Sequence, residues 1–151
     1  MQAKKRVISK IVCAAIAVLS LSSVGMMYAS AANYLDSDWK ANFTFSQHQY
    51  YTQTRAKEDD SSMYIKVTSG SSTGRLNARG YGSDYVKPAG YAADGRVNCS
   101  QGRVTSNIVV GESRYIVNFV YEMGYDFGCL LLGNGVSTPD TFAGLWSPDS
   151  V

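Results

Sequence analysis

Histidine is all but missing from this chain: His48 is the single one. Nucleophilic catalysis by serine or cysteine ordinarily draws on a histidine base, and His48 stands in the polar run Ser46-Gln47-His48-Gln49-Tyr50 with no nucleophile motif beside it. A strand-end or turn residue is the expectation there, and a serine or cysteine hydrolase is disfavoured. Cysteine is scarce as well, with three in all and no C-x-x-C spacing, which together with the lone histidine argues against zinc. No loop carries the spaced D-x-[DN]-x-[DN]-G pattern of a calcium site, although Asp36 with Asp38 and Asp59 with Asp60 supply oxygen. No metal and no cofactor are expected. Basic clusters are absent outside the N-terminus. Four of the 14 Lys and Arg (Lys4, Lys5, Arg6 and Lys10) precede residue 31, whereas all 12 acidic residues follow it, so the formal +2 becomes mildly negative downstream. That excludes the electrostatic footprint of a nucleic-acid binder.

Long apolar runs occur once, from Ile11 to about Tyr28. With the cationic stretch before it and Ala29-Ser30-Ala31 after it, the run has the three parts of a secretory signal, so residues 1–31 are expected to be removed and 32–151 to form one secreted domain. Serines and Gly25 dilute the centre of the run, and no stop-transfer charges follow, which disfavours a retained anchor. In an oxidising compartment the two remaining cysteines, Cys99 and Cys129, are most simply a disulfide. Such a bridge would close a 31-residue loop and contribute about 3–4 kcal/mol in the chain-entropy description.

Helical periodicity is nearly absent too. What replaces it is period-two alternation broken by Gly, Ser, Asn and Asp, the pattern of an all-β chain. Phe43 and Phe45 are expected inside, then Met63, Ile65 and Val67, then Leu76 and Ala78 as far as Gly80. The run from Gly80 to Gly95 has no period and is expected to be a long loop. Asp94-Gly95 and Gln101-Gly102 have hairpin-turn chemistry. Residues 116–123 fit a strand or a short helix equally, with Gly124 where a helix would end. Phe127, Cys129 and Leu131 mark one face of a later strand, and Thr141 to Trp146 a final one. Seven or eight short strands predict a single antiparallel β-sandwich, with a small β-barrel as the alternative.

Tyrosine is plentiful: ten of the 11 lie beyond the leader, and Tyr81, Tyr85 and Tyr91 fall in the Gly/Ser-rich loop. Tyrosine presents a flat apolar face and a hydroxyl at low entropy cost, so these three form the candidate ligand-binding set. Carboxylate pairs are the remaining catalytic option, with Glu112, Glu122 and Asp126 the acids concerned.

The ending Phe142-Ala143-Gly144-Leu145-Trp146-Ser147-Pro148-Asp149-Ser150 resembles that of a family of small uncharacterised secreted proteins of Gram-positive bacteria, and the stretch from Arg114-Tyr115 to Gly124-Tyr125 looks similar too. The resemblance implies secretion and one domain from about Asn33 to Val151. It carries no activity, hence no catalytic residue. The sequence thus predicts a secreted, non-catalytic, monomeric β-sandwich with an extracellular or cell-envelope ligand, free of nucleic acid and of membrane once the leader is gone. A bacteriocin-like toxin is the alternative, and a carboxylate-based hydrolase ranks below it.

Overall fold

The computed structural model describes residues 34–150, so the leader expected over 1–31 lies outside the described residues. Ten strands follow in chain order: β1 (Ser37–Phe43), β2 (Gln49–Tyr51), β3 (Arg55–Ala56), β4 (Met63–Ser69), β5 (Leu76–Ser83), β6 (Val97–Asn98), β7 (Thr105–Ile108), β8 (Ser113–Ile116), β9 (Phe127–Asn134) and β10 (Asp140–Ser147). All pair antiparallel, in two sheets. Sheet 1 has the order β1-β10-β4-β8, and sheet 2 runs β2-β9-β5-β6 with β3 also on β9 and β7 also on β5. This is the expected sandwich, and the two sheets do not close into a barrel.

The alternation builds the core directly. Trp39, Ala41 and Phe43 of β1, Met63, Ile65 and Val67 of β4, and Phe142 and Trp146 of β10 are all buried, as are Leu76, Ala78, Leu130 and Leu132 from sheet 2. Each such large side chain contributes about 1.5–3 kcal/mol by leaving water. The sheets touch where Met63 Cε fills the space of a missing side chain at Gly128, 2.6 Å from where a Cβ would stand. The Phe43 and Phe142 rings meet edge to face with centroids 6.1 Å apart.

Three expectations need correction. Phe45 is 75% exposed rather than in the core, because β1 stops at Phe43 and Thr44 turns the chain: its Oγ1 accepts from Ser46 N and Gln47 N, and its own N–H donates to Gln47 O. The loop expected from Gly80 begins only after Ser83, since β5 runs on through Gly80 and Gly82. The pattern fades there because the two inward positions are glycines. Asn118 Cβ lies 2.5 Å from the Cβ position of Gly80, and the Tyr125 ring lies 2.7 Å from that of Gly82, so a neighbouring segment supplies the side chains the strand lacks. That segment is the stretch expected as a possible helix near 116–123. Among the described residues there is no helix: Ile116 ends β8, and the following residues make one turn in which Met123 N bonds Phe119 O and Tyr125 N bonds Val120 O, with Gly124 at φ +80°. Gly124 does end that turn in the left-handed conformation, as its position suggested. Asp94-Gly95 and Gln101-Gly102 also form the turns expected, each with both residues at positive φ.

Candidate functional site

The loop after β5 is strapped down rather than free. Gly90 exchanges both backbone hydrogen bonds with Tyr51 (2.7 and 3.0 Å), and Thr54 N donates to Lys87 O at 2.9 Å. Arg96, only 6% exposed, acts as a rivet: its guanidinium donates to the carbonyls of Pro88, Ala92 and Ala93 and lies 5.2 Å over the Tyr51 ring. The three candidate tyrosines are accordingly dispersed. Tyr81 belongs to β5 and packs edge-on against Tyr51 at 5.3 Å. Tyr91 packs on Tyr50 at 5.4 Å, its hydroxyl donating to Asn42 O and accepting from Asn42 N. Tyr85 is 71% exposed and stands alone. They do not form the aromatic patch expected of a Tyr-lined recognition loop.

The Cys99–Cys129 bridge is not formed either: both are free, buried thiols. Register explains why. Cys129 pairs with Tyr81 on one side of β5, while Cys99 N bonds Gly80 O on the other side, so a whole strand separates them. Two strand spacings are about 9–10 Å, beyond the roughly 7 Å that a disulfide tolerates between Cα atoms. Burial pushes the Cys99 thiol up to about 11 and the Cys129 thiol up to about 12, the latter despite Arg96 nearby, so neither is an activated nucleophile. The run Gly70-Ser71-Ser72-Thr73-Gly74 fits the spacing G-x-S-x-G, but it is the exposed turn joining β4 to β5 and no helix follows it. Glu112 is occupied at the β7–β8 turn by Val109 N (3.1 Å) and Arg114 (2.8 Å), while Glu122 and Asp126 are exposed in the segment before β9.

What the fold does gather is polar and lies on the outer face of sheet 2. Gln49, Gly133 and Asn77 form one row across β2, β9 and β5, and Leu131 with Arg79 begins the next. Together with His48, Val104 and Asn134 they line a groove of about 220 Å³. Leu131 and Gly133 are its floor. A Cβ at Gly133 would fit without a clash, its nearest atoms standing at ordinary contact distances of 3.8 and 4.0 Å. Asn134 is committed to holding its own turn through Thr138 O (2.8 Å) and Val136 N (3.2 Å), and Asn77 accepts from Asn107 N at 3.2 Å, which leaves its NH₂ available. Among the described residues the side chains of His48, Gln49 and Arg79 have no hydrogen-bond or ionic partner. Arg79 is the one charged lining group. An adjoining hollow shares His48 and Gln49 and brings Tyr91 to the far end, so one of the three expected tyrosines does border the site. Sequence reasoning missed the groove because alternate polar residues on a strand read as an ordinary solvated face. Gly133 among outward positions was the available signal.

A second feature lies at the C-terminal tail. Trp146 is fully buried beneath the Arg55 guanidinium, which lies 5.9 Å from the ring centroid. Ser147 Oγ donates to Asp149 O, and Ser150 N donates to Ser61 Oγ. Asp149 and Lys57 form an ion pair whose two side chains are completely buried, with Lys57 Nζ also donating to Ser61 O at 2.7 Å and lying 3.4 Å from Asp59 Oδ1. Burial raises the Asp149 carboxyl above its ordinary range, against the hydrogen bond from Lys57. For Asp59 burial pulls upward, but the hydrogen bonds from Ser61 and the Tyr34 hydroxyl win and hold it well below that range. Outside this pair Tyr34, Tyr64 and Tyr115 flank a cleft of about 170 Å³ that reaches Asp149 and Ser150.

Fold and groove define an antiparallel β-sandwich with an uncommitted polar site on one outer face. The chain belongs to the family described as protein of unknown function DUF2712, whose model matches residues 27–150. No curated protein and no solved structure matches it.

Proposed function

We propose that this chain is a secreted, non-catalytic binding module of the cell envelope or its surroundings, and that the groove across β5, β9 and β2 takes a hydroxyl-rich saccharide, neutral or anionic. The observation that carries this reading is that the side chains of His48, Gln49 and Arg79 and the Asn77 NH₂, which line one groove with Gly133, are unspent within the protein. Amide and guanidinium forks match vicinal hydroxyls and carboxylates in pairs of hydrogen bonds. Mounting Gln49, Asn77 and Arg79 on paired strands lowers the ordering cost of binding. The lining includes no acidic side chain. Glycoside cleavage calls for two carboxyl groups flanking the bond, so the groove fits retention of a sugar rather than its hydrolysis.

The test is titration of purified envelope saccharides into the full chain by calorimetry, beside Gly133→Leu and Arg79→Ala. Gly133→Leu adds a Cβ at ordinary contact distance and a side chain that enters the groove, so the melting temperature should hold while affinity falls at least about tenfold, equivalent to about 1.4 kcal/mol. Arg79→Ala should weaken anionic saccharides more than neutral ones. Saccharide binding that survives Gly133→Leu unchanged removes the groove from the reading, and no binding of either saccharide class by the parent chain removes the ligand.

A further inference from the structure

We propose that Lys57 and Asp149 condense into an intramolecular isopeptide bond, Lys57 Nζ joined to Asp149 Cγ with release of one water. The placement of the groups carries this. Lys57 Nζ meets Asp149 Oδ1 with neither side chain exposed at all, Glu58 N–H donates to Oδ2 at 3.2 Å, and Asp59 Oδ1 stands 3.4 Å from the amine. An amine and a carboxyl group do not condense in water because both are charged and hydrated. Removed from solvent, the Asp149 carboxyl leans toward its neutral form, the electrophile that the reaction requires, and the proton it takes travels along the Nζ–Oδ1 contact. The raised carboxyl of Asp149 agrees with that shift. Held in contact, the two groups also escape the entropy of encounter, an advantage that reaches effective molarities of about 10⁵–10⁸ M in well-oriented pairs.

Each atom has a place in the step. The nitrogen lone pair attacks Cγ, and the carbon–oxygen π pair moves onto Oδ2, where the Glu58 N–H holds the developing charge. Asp59, 3.4 Å from Nζ, stabilises the positive charge that develops on nitrogen, and one proton passes from nitrogen to the hydroxyl at Oδ1, with which it is already in contact. The Cγ–Oδ1 bond breaks, Oδ1 leaves as water, and the π bond to Oδ2 re-forms as the amide carbonyl. Asp59 ends as it began, and no oxidant or cofactor enters. The cleft flanked by Tyr34, Tyr64 and Tyr115 has Asp149 in its lining and would receive the water. The bond would tie residues 92 apart in sequence and anchor the tail motif whose Asp it uses. It thus supplies the covalent closure that Cys99 and Cys129, one strand apart, do not make.

Intact mass spectrometry of the full chain under denaturing conditions, with the N-terminus read from the same sample, decides the matter. The expected mass is one water below that of the sequence, and a digest should yield a branched peptide joining the segments that contain Lys57 and Asp149. Lys57→Arg keeps a cation at the site and should restore the full mass. Asp59→Asn should keep the strand-type circular dichroism and form the bond at least about a hundredfold more slowly. A folded parent chain at full mass, or a missing water mapped to any other pair, overturns the proposal. Cross-linking of Asp59→Asn at the parent rate overturns the role given to Asp59.

Discussion

Phe142→Ala tests how the sandwich is packed. The ring is fully buried, so truncation to alanine falls in the class that costs about 3–5 kcal/mol. Two details push it toward the upper end. The ring meets Phe43 edge to face, a geometry that adds about 0.5–1.5 kcal/mol beyond burial. It also fills space that backbone cannot reclaim, since Phe142 Cζ lies 2.5 Å from where Gly74 would carry a Cβ. Alanine at Gly74 in the parent chain strikes that ring and the Asp140 carboxylate and is destabilising. In the Phe142→Ala background the ring is gone and only the ends of the Asp140 and Ser71 side chains must give, so the added methyl costs less and fills part of the void. The two substitutions should therefore be less than additive, with a coupling of at least about 1 kcal/mol. Urea unfolding followed by the fluorescence of the two buried tryptophans, Trp39 and Trp146, reads all four chains of the cycle. A loss below about 1 kcal/mol for Phe142→Ala, or strict additivity with Gly74→Ala, would refute the packing described.

Two further outcomes follow from side-chain chemistry. Cys99 and Cys129 should ignore a thiol reagent in the native protein and both titrate once it is unfolded without reductant, whereas a pair that stays unreactive until reductant is added would show a disulfide and contradict the register. The Glu112 carboxyl is held below its ordinary value by the Val109 N–H and then by Arg114, so its contribution is complete above about 4.5 and fades as pH falls through the lowered value. Glu112→Gln should accordingly flatten the fall of melting temperature between about pH 5 and about pH 3. A parallel fall in both chains would disprove the linkage.

Much of the fold was legible because burial repeats every second residue. Phe43, Met63, Ile65, Val67, Leu76 and Ala78 are all inside as the alternation required. Legibility ended where the inward residues of β5 are glycines, since the side chains that cover Gly80 and Gly82 come from Asn118 and Tyr125, about 40 residues away. The Cys pair misled for a related reason: an even number of thiols sets no strand order, and here β5 runs between them. The groove and the Lys57–Asp149 pair were hidden more deeply. His48 with Gln49, Asn77 with Arg79, and Asn134 come from three segments and acquire meaning only through register, while nothing in the sequence links residues 57 and 149, which lie 92 apart. The tyrosines were conspicuous by composition, yet their neighbours decide what they do.

The strand order of sheet 1 also governs when the protein can come into being. β10 is last of the ten in the chain, yet it lies between β1 and β4 and pairs with β1 along its whole length, Ser37 to Phe43. Until it arrives, β1 has no partner in that sheet and β4 lacks one of its two. Assembly therefore waits on the most distant contact in the sequence, which makes it slow and leaves two apolar edges open meanwhile. A ribosome delivers the middle of sheet 1 only after the other nine strands, so that sheet stays incomplete until β10 emerges, even where the strands of sheet 2 have already met.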